Sequence, residues 1–182
     1  MAVRPPVRSY STSYHYVVTD ETPANGKPRN EQGERPRDEF GRPLPWGSES
    51  RLALEDYDNL PLEDNERLAI EAFNEGVYFS AHEAWEAAWR LSRGGSDEEF
   101  FKGLAQMGAG YTHMQRGNAH GAKTLLTRAR TRLESYRPRH RGLDLERLCA
   151  TLDEHSQAFS DDETAGRAPR HVEPPPIERS AS

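Results

Sequence analysis

The chain is predicted to fold as an all-α domain, a compact bundle of four to five antiparallel helices with disordered N- and C-terminal tails. Three observations lead there. Between residues 61 and 160, apolar side chains recur at spacings of three and four rather than in alternation. The breaks between these periodic runs are short and carry Gly76, Gly94-Gly95, Gly117 and Pro138, which favours antiparallel neighbours. The flanks differ in composition: eight of the 13 prolines lie at or before Pro61, and Pro174, Pro175 and Pro176 are consecutive. With only 34% hydrophobic and 30% charged residues, a chain of 182 cannot pack throughout. We therefore read residues 1–60 as a disordered Pro/Gly/Arg-rich arm, 61–160 as the helical domain and 161–182 as a disordered tail.

The arm repeats a loose Gly/Pro/Arg pattern, GKPRNEQ, GERPRDEF and GRPLP, in which Trp46 is a candidate anchor. A first helix starts at Pro61 or Leu62, where Glu63, Asp64 and Glu66 suit the positive end of the dipole, and runs to about Glu75. A second spans about Tyr78 to Leu91. Ser96 and Glu99 read as a capping box for a third, to about Gln115, with Phe100, Leu104, Met107, Tyr111 and Met114 as its core stripe. A second stripe of that helix holds Gly103, Gln106, Gly110 and His113, whose small residues let another helix approach closely. A fourth runs from Ala119 to about Tyr136 and stops at Pro138. A fifth covers about Leu143 to Phe159, with the lone Cys149 on its apolar face. Met107-Gly108-x-x-Tyr111 followed by Gly117, Ala122, Ala129 and Pro138 resembles a single tetratricopeptide hairpin, with no second copy in the chain.

Charge excludes some functions. The net charge of −6 argues against non-specific nucleic-acid binding. Residues 51–92 net −7 and residues 93–142 net +6, so the basic residues of the fourth helix are expected to pair with the acidic first and second helices. No apolar run approaches a membrane span, and no apolar signal core opens the chain. A cytoplasmic protein without membrane attachment is expected. One cysteine rules out an intrachain disulfide and a cysteine-based metal site.

Chemistry concentrates in Phe73 to Arg90. On a helix, Tyr78, His82, Trp85 and Trp89 fall on one stripe, with Glu86 one turn beyond His82 on its flank. The residues FNxGxYFxAHExWExxWR, followed by Arg116-Gly117-Asn118, Gly121-Ala122, Leu125-Leu126 and Arg128-Ala129, resemble a bacterial and archaeal family catalogued as domain of unknown function 309. The resemblance covers about residues 62–136. It implies a compact helical bundle in which His82, Glu86 and Trp89 mark an active or binding site, and it carries no established activity.

The leading expectation is a non-catalytic binding or protein-interaction module with a polar and aromatic site on the second helix. Its binding residues would be Asn74, Tyr78, Trp85, Trp89, Gln106, Arg116 and Asn118. Its partner would be an unknown protein or peptide, or a second copy of the chain, and no cofactor is needed. The competing expectation is a small hydrolase-like or metal-dependent enzyme. His82 and Glu86 at i and i+4 could serve as an acid–base pair. HEAWE differs from a zincin HExxH in its last position, and His113 could complete a set of His82, Glu86 and His113 for a divalent metal such as Zn or Fe. That requires His113 to face the second helix. The partner of Glu86, either His82 or Arg90, separates chemistry from architecture.

Overall fold

The computed structural model describes residues 35–179. Five helices follow one another: α1 (Leu62–Asn74), α2 (Tyr78–Leu91), α3 (Glu98–Gln115), α4 (Ala119–Leu133) and α5 (Leu145–Thr164). Each packs against its neighbours in sequence. Tyr111 in α3 ties the stack together, touching Phe73 of α1 and Tyr78 of α2 through its ring and hydrogen-bonding His155 of α5 at 2.9 Å. The expected stripe of α3 is the core: Phe100, Leu104, Met107, Tyr111 and Met114 are all buried. Cys149 is buried too, and burial pushes its thiol up.

Local chemistry sets the helix ends. Pro61 precedes α1, and Glu63 and Asp64 sit in its first turn against the exposed N–H groups. Asn118 caps α4 by accepting from Gly121 N at 2.9 Å, and Asp144 caps α5 by accepting from Arg147 N at 3.1 Å. The expected Ser96–Glu99 box does not form. Glu98 instead accepts from Gly94 N at 2.8 Å, and Glu99 turns toward Lys102 and Arg132. The fifth helix begins two residues later than expected and continues to Thr164, because residues 139–144 fold into a tight hairpin of β1 (Arg139–His140) and β2 (Leu143–Asp144).

Residues 1–34 and 180–182, where most of the expected disordered arm and the end of the tail fall, lie outside the described part; of residues 35–60 and 165–179, some reach the helices while 45–51 and 165–168 are exposed. Trp46 is 40% exposed and anchors nothing there. The arm is held instead by Phe40, Gly41 and Tyr57, and the tail by Ile177, which is buried. These contacts are side chain to remote backbone, and such contacts leave no periodicity in a sequence.

Two glycine stripes decide which helices meet. A Cβ on Gly103 or Gly110 would meet Leu133 or Leu126, so that stripe faces α4. A Cβ on Gly108 would sit 2.9 Å from the backbone N of His82, so Gly108 is what brings α2 close to α3. The basic residues near α4 pair chiefly with α5 and α3. Arg130 meets Asp153, Lys123 meets Glu163, Arg137 meets Glu146 and Arg132 meets Glu99. Of the acidic first two helices, only α1 takes part, through Glu63 and Glu66 with Arg141.

Candidate functional site

His82 projects from the middle of α2 with its side chain 23% exposed. Its Nδ1–H donates to the carbonyl of Ala105 at 3.0 Å, a bond made possible by the close approach at Gly108. That contact fixes the ring and turns Nε2 toward two carboxylates, Glu86 Oε2 at 3.3 Å and Glu83 Oε1 at 3.9 Å. Glu86 has both of its expected partners. One oxygen faces His82 and the other accepts from Arg90 Nη1 at 3.0 Å, while Arg90 also reaches Asp58. Burial pushes the Glu83 carboxyl up; His82 opposes that shift and Glu86 adds to it.

A second group of residues adjoins this pair. The ring of Phe79 lies 6.1 Å from that of His82, with Arg37 and Arg116 over it at 5.0 and 5.4 Å. Arg116 donates from Nε at 2.9 Å and from Nη2 at 2.7 Å to one acceptor, the carbonyl of Phe40. Arg42 returns a bond to the carbonyl of Arg116 at 2.9 Å. Between them, Gly41 rests on Phe79 with φ +75°, and a Cβ there would lie 2.4 Å from the ring. Asp38 shapes this turn by accepting from the N–H groups of Phe40 and Arg42. Sequence reasoning singled out Arg116 but missed Arg37, Phe40 and Gly41. The repeated Gly/Pro/Arg pattern of the arm was the available signal.

The other expected site residues scatter. Trp85 is completely buried and belongs to the core, and Tyr78 is buried beside it. Trp89 is half-buried under Arg93 and Lys102. Gln106 accepts from Arg132 Nε at 3.0 Å, on the α4 side. Asn118 works as a helix cap and donates from Nδ2 to His113 Nδ1 at 3.0 Å. Asn74 brackets the backbone of Ile177, donating to its carbonyl at 2.9 Å and accepting from its N–H at 2.8 Å.

The metal set of His82, Glu86 and His113 is not assembled. Its condition fails, because the Gly103/Gln106/Gly110/His113 stripe faces α4, and a Cβ on Gly121 would press on the His113 ring. Among the described residues no three His, Cys, Asp or Glu side chains are grouped to hold a metal ion. Burial first, and then Arg116 and His82, lower the His113 pKa. Two other histidines are also removed from water: His140 is half-buried, 2.9 Å from Asp97 and edge-on to Phe100, and His155 is buried.

Together these features define a small helical domain with a histidine–carboxylate pair and an arginine clamp on one face of α2. Residues 67–125, which hold the pair, Phe79 and Arg116, match the family described as "Domain of unknown function (DUF309)". No curated protein and no solved structure shows significant similarity to it. Among the described residues, no helix is long and apolar enough to cross a membrane.

Proposed function

We propose that this domain is a binding module that takes a tight turn of protein across Phe79, beside His82, and holds it by its backbone. The observation that carries this reading is the double donation from Arg116 to the Phe40 carbonyl. A guanidinium that spends two donors on one backbone oxygen reads the course of a chain rather than its side chains. Specificity comes from the next position, where only glycine fits against the ring, and from a flanking arginine stacked on Phe79. Residues 37–42 satisfy both requirements in cis, and the same residues of a second copy would satisfy them in trans.

Gly41→Ala in the full chain tests this. The added methyl meets both the ring and an unfavourable φ, so the arm leaves its seat while the helices stay folded. A fluorescent peptide with the sequence of residues 35–45 is then expected to bind the G41A chain at least tenfold more tightly than the wild type. Adding Arg116→Ala should abolish that gain. A folded G41A chain that ignores the peptide would overturn the reading.

A second reading, a hydrolase-like enzyme, draws on His82. Its Nδ1–H is anchored on a carbonyl, which leaves Nε2, partly exposed beside Glu86, as the ring nitrogen able to take a proton from a bound water. Hydrolysis of simple ester or phosphoester substrates, lost in His82→Gln without loss of stability, would favour it. Equal background rates in both proteins would count against it.

A further inference from the structure

The tail makes a second seat on the other end of the domain. Beyond α5, the chain is turned by Asp162, a buried carboxylate that accepts from Arg170 N at 2.8 Å, from Arg170 Nε and Nη2 at 3.0 and 2.9 Å, and from Arg167 Nη2 at 2.9 Å. From there residues 171–179 run without helix or strand past the end of α1 and the start of α5. The Ile177 side chain is buried in the core, and the N–H and C=O of the same residue are both bracketed by Asn74. The consecutive prolines before Ile177 favour an extended conformation with little entropy left to lose.

The tail underfills this groove. A hollow of about 280 Å³ remains between Phe73, Asn74 and Tyr78 on one side and Glu173–Pro176 on the other. A second, of about 190 Å³, separates Arg139, Leu143 and Arg147 from Pro175–Glu178. The exposed guanidinium of Arg147 fronts this second hollow, and Glu178 is the tail's acidic residue there. The groove therefore offers a backbone bracket and an aliphatic pocket for one residue, and a basic wall for the next.

We infer that this groove is a docking site for an extended, proline-rich segment of a partner protein that carries one aliphatic anchor followed directly by an acidic residue. The chain's own Pro-Pro-Ile-Glu occupies it in cis as a competitor. The partner segment replaces Ile177 in the pocket, takes the two hydrogen bonds of Asn74 and sets its carboxylate against Arg147. This site is separate from the arginine clamp, so the two readings fail independently.

Native-state hydrogen exchange on the full chain supplies the first measurement. The Ile177 amide is expected to exchange at least 100-fold faster than the amides of α3, since the tail opens without the helices. Exchange of Ile177 only together with α3 would overturn the proposal, because the tail would then be a fixed part of the fold. The second measurement uses a fluorescent peptide with the sequence of residues 171–179 and the full chain carrying Ile177→Asp, which empties the pocket. Binding is expected at least tenfold tighter than to the wild type, reduced tenfold or more by Asn74→Ala and several-fold by Arg147→Glu. Failure of the folded I177D chain to bind at millimolar peptide, or binding indifferent to Asn74→Ala, would overturn it. A wild-type dimer built on exchanged tails would make a second copy the occupant and overturn the choice of partner.

Discussion

Two clusters of the same chemistry sit on this domain, and they differ in how much water reaches them. In one, Glu66 of α1 is fully buried and accepts three bonds from Arg141, two at 3.1 Å and one at 2.7 Å; Arg141 also reaches Asp97 at 3.0 Å. In the other, Glu86 of α2 is 37% exposed and divides itself between His82 and Arg90. The sealed cluster pins the 139–144 hairpin to α1 and to the start of α3. Its strength shows in the backbone, because Arg141 adopts φ +47°, a left-handed conformation that costs a side-chain-bearing residue roughly 1–2 kcal/mol. The ion pairs, the hairpin pairing and the burial of Leu143 together offset that cost. The open cluster imposes no comparable strain, and its groups keep access to solvent. Burial makes the first cluster architecture and leaves the second open to solvent.

The largest expected effect comes from breaking the sealed cluster. Arg141→Ala leaves the Glu66 carboxylate buried without its main partner and should cost about 3–5 kcal/mol in urea unfolding. Replacing both partners by apolar residues, Glu66→Met with Arg141→Leu, should recover most of that loss. Glu86→Ala, the matching change in the open cluster, should cost less than about 1 kcal/mol. Equal losses from Arg141→Ala and Glu86→Ala would erase the distinction between the two clusters.

A buried polar pair without formal charge falls between these extremes. Tyr111 and His155 are hydrogen-bonded in the core, and Tyr111→Phe should cost about 1–3 kcal/mol. The pair also gives the fold an acid limit. Burial lowers the His155 pKa below its ordinary 6.5, so the unfolded chain takes up that proton before the folded one does. The stability contributed is complete above pH 6.5 and is lost as pH falls through the lowered folded value. Urea midpoints measured from pH 7.5 to pH 5 should fall, and His155→Asn should flatten that slope.

The contrast between the clusters also explains what could be read from the sequence. The helices were legible because their apolar periods, glycine breaks and acidic first turns all agree. The His82–Glu86 pair was legible because i, i+4 spacing fixes it within one helix. Glu66–Arg141 was not, since the partners are 75 residues apart in sequence and meet only because a hairpin returns to α1. His113 was misplaced for a related reason. A stripe of small residues announces a close helix neighbour without saying which one, and here the neighbour is α4, while the isolated Gly108 serves α2. Asn74 and Arg116 were singled out as binding residues; in the fold their partners are backbone atoms of the flanks, which composition alone marked as unpacked.

The smallest expected effect belongs to Glu83 and probes the open cluster most finely. Its side chain is 35% exposed, yet burial still pushes its carboxyl above the ordinary 4.5, with Glu86 adding to the shift and His82, Arg37 and Arg90 opposing it. A raised carboxyl favours the protonated form in the fold. Its contribution to stability is therefore complete below pH 4.5 and is lost as pH rises through the raised value. At neutral pH an ionised Glu83 works against the fold. Glu83→Gln should then stabilise the protein at pH 7 by about 0.5 kcal/mol, a figure kept small by solvent screening. The gap between variant and wild type should close below pH 4.5. A loss of more than about 1 kcal/mol at pH 7 would instead mean that the fold needs the Glu83 carboxylate against His82. The open cluster would then behave like the sealed one, and a carboxylate retained at such a cost beside a partly exposed imidazole would shift the balance from the binding module toward the enzyme.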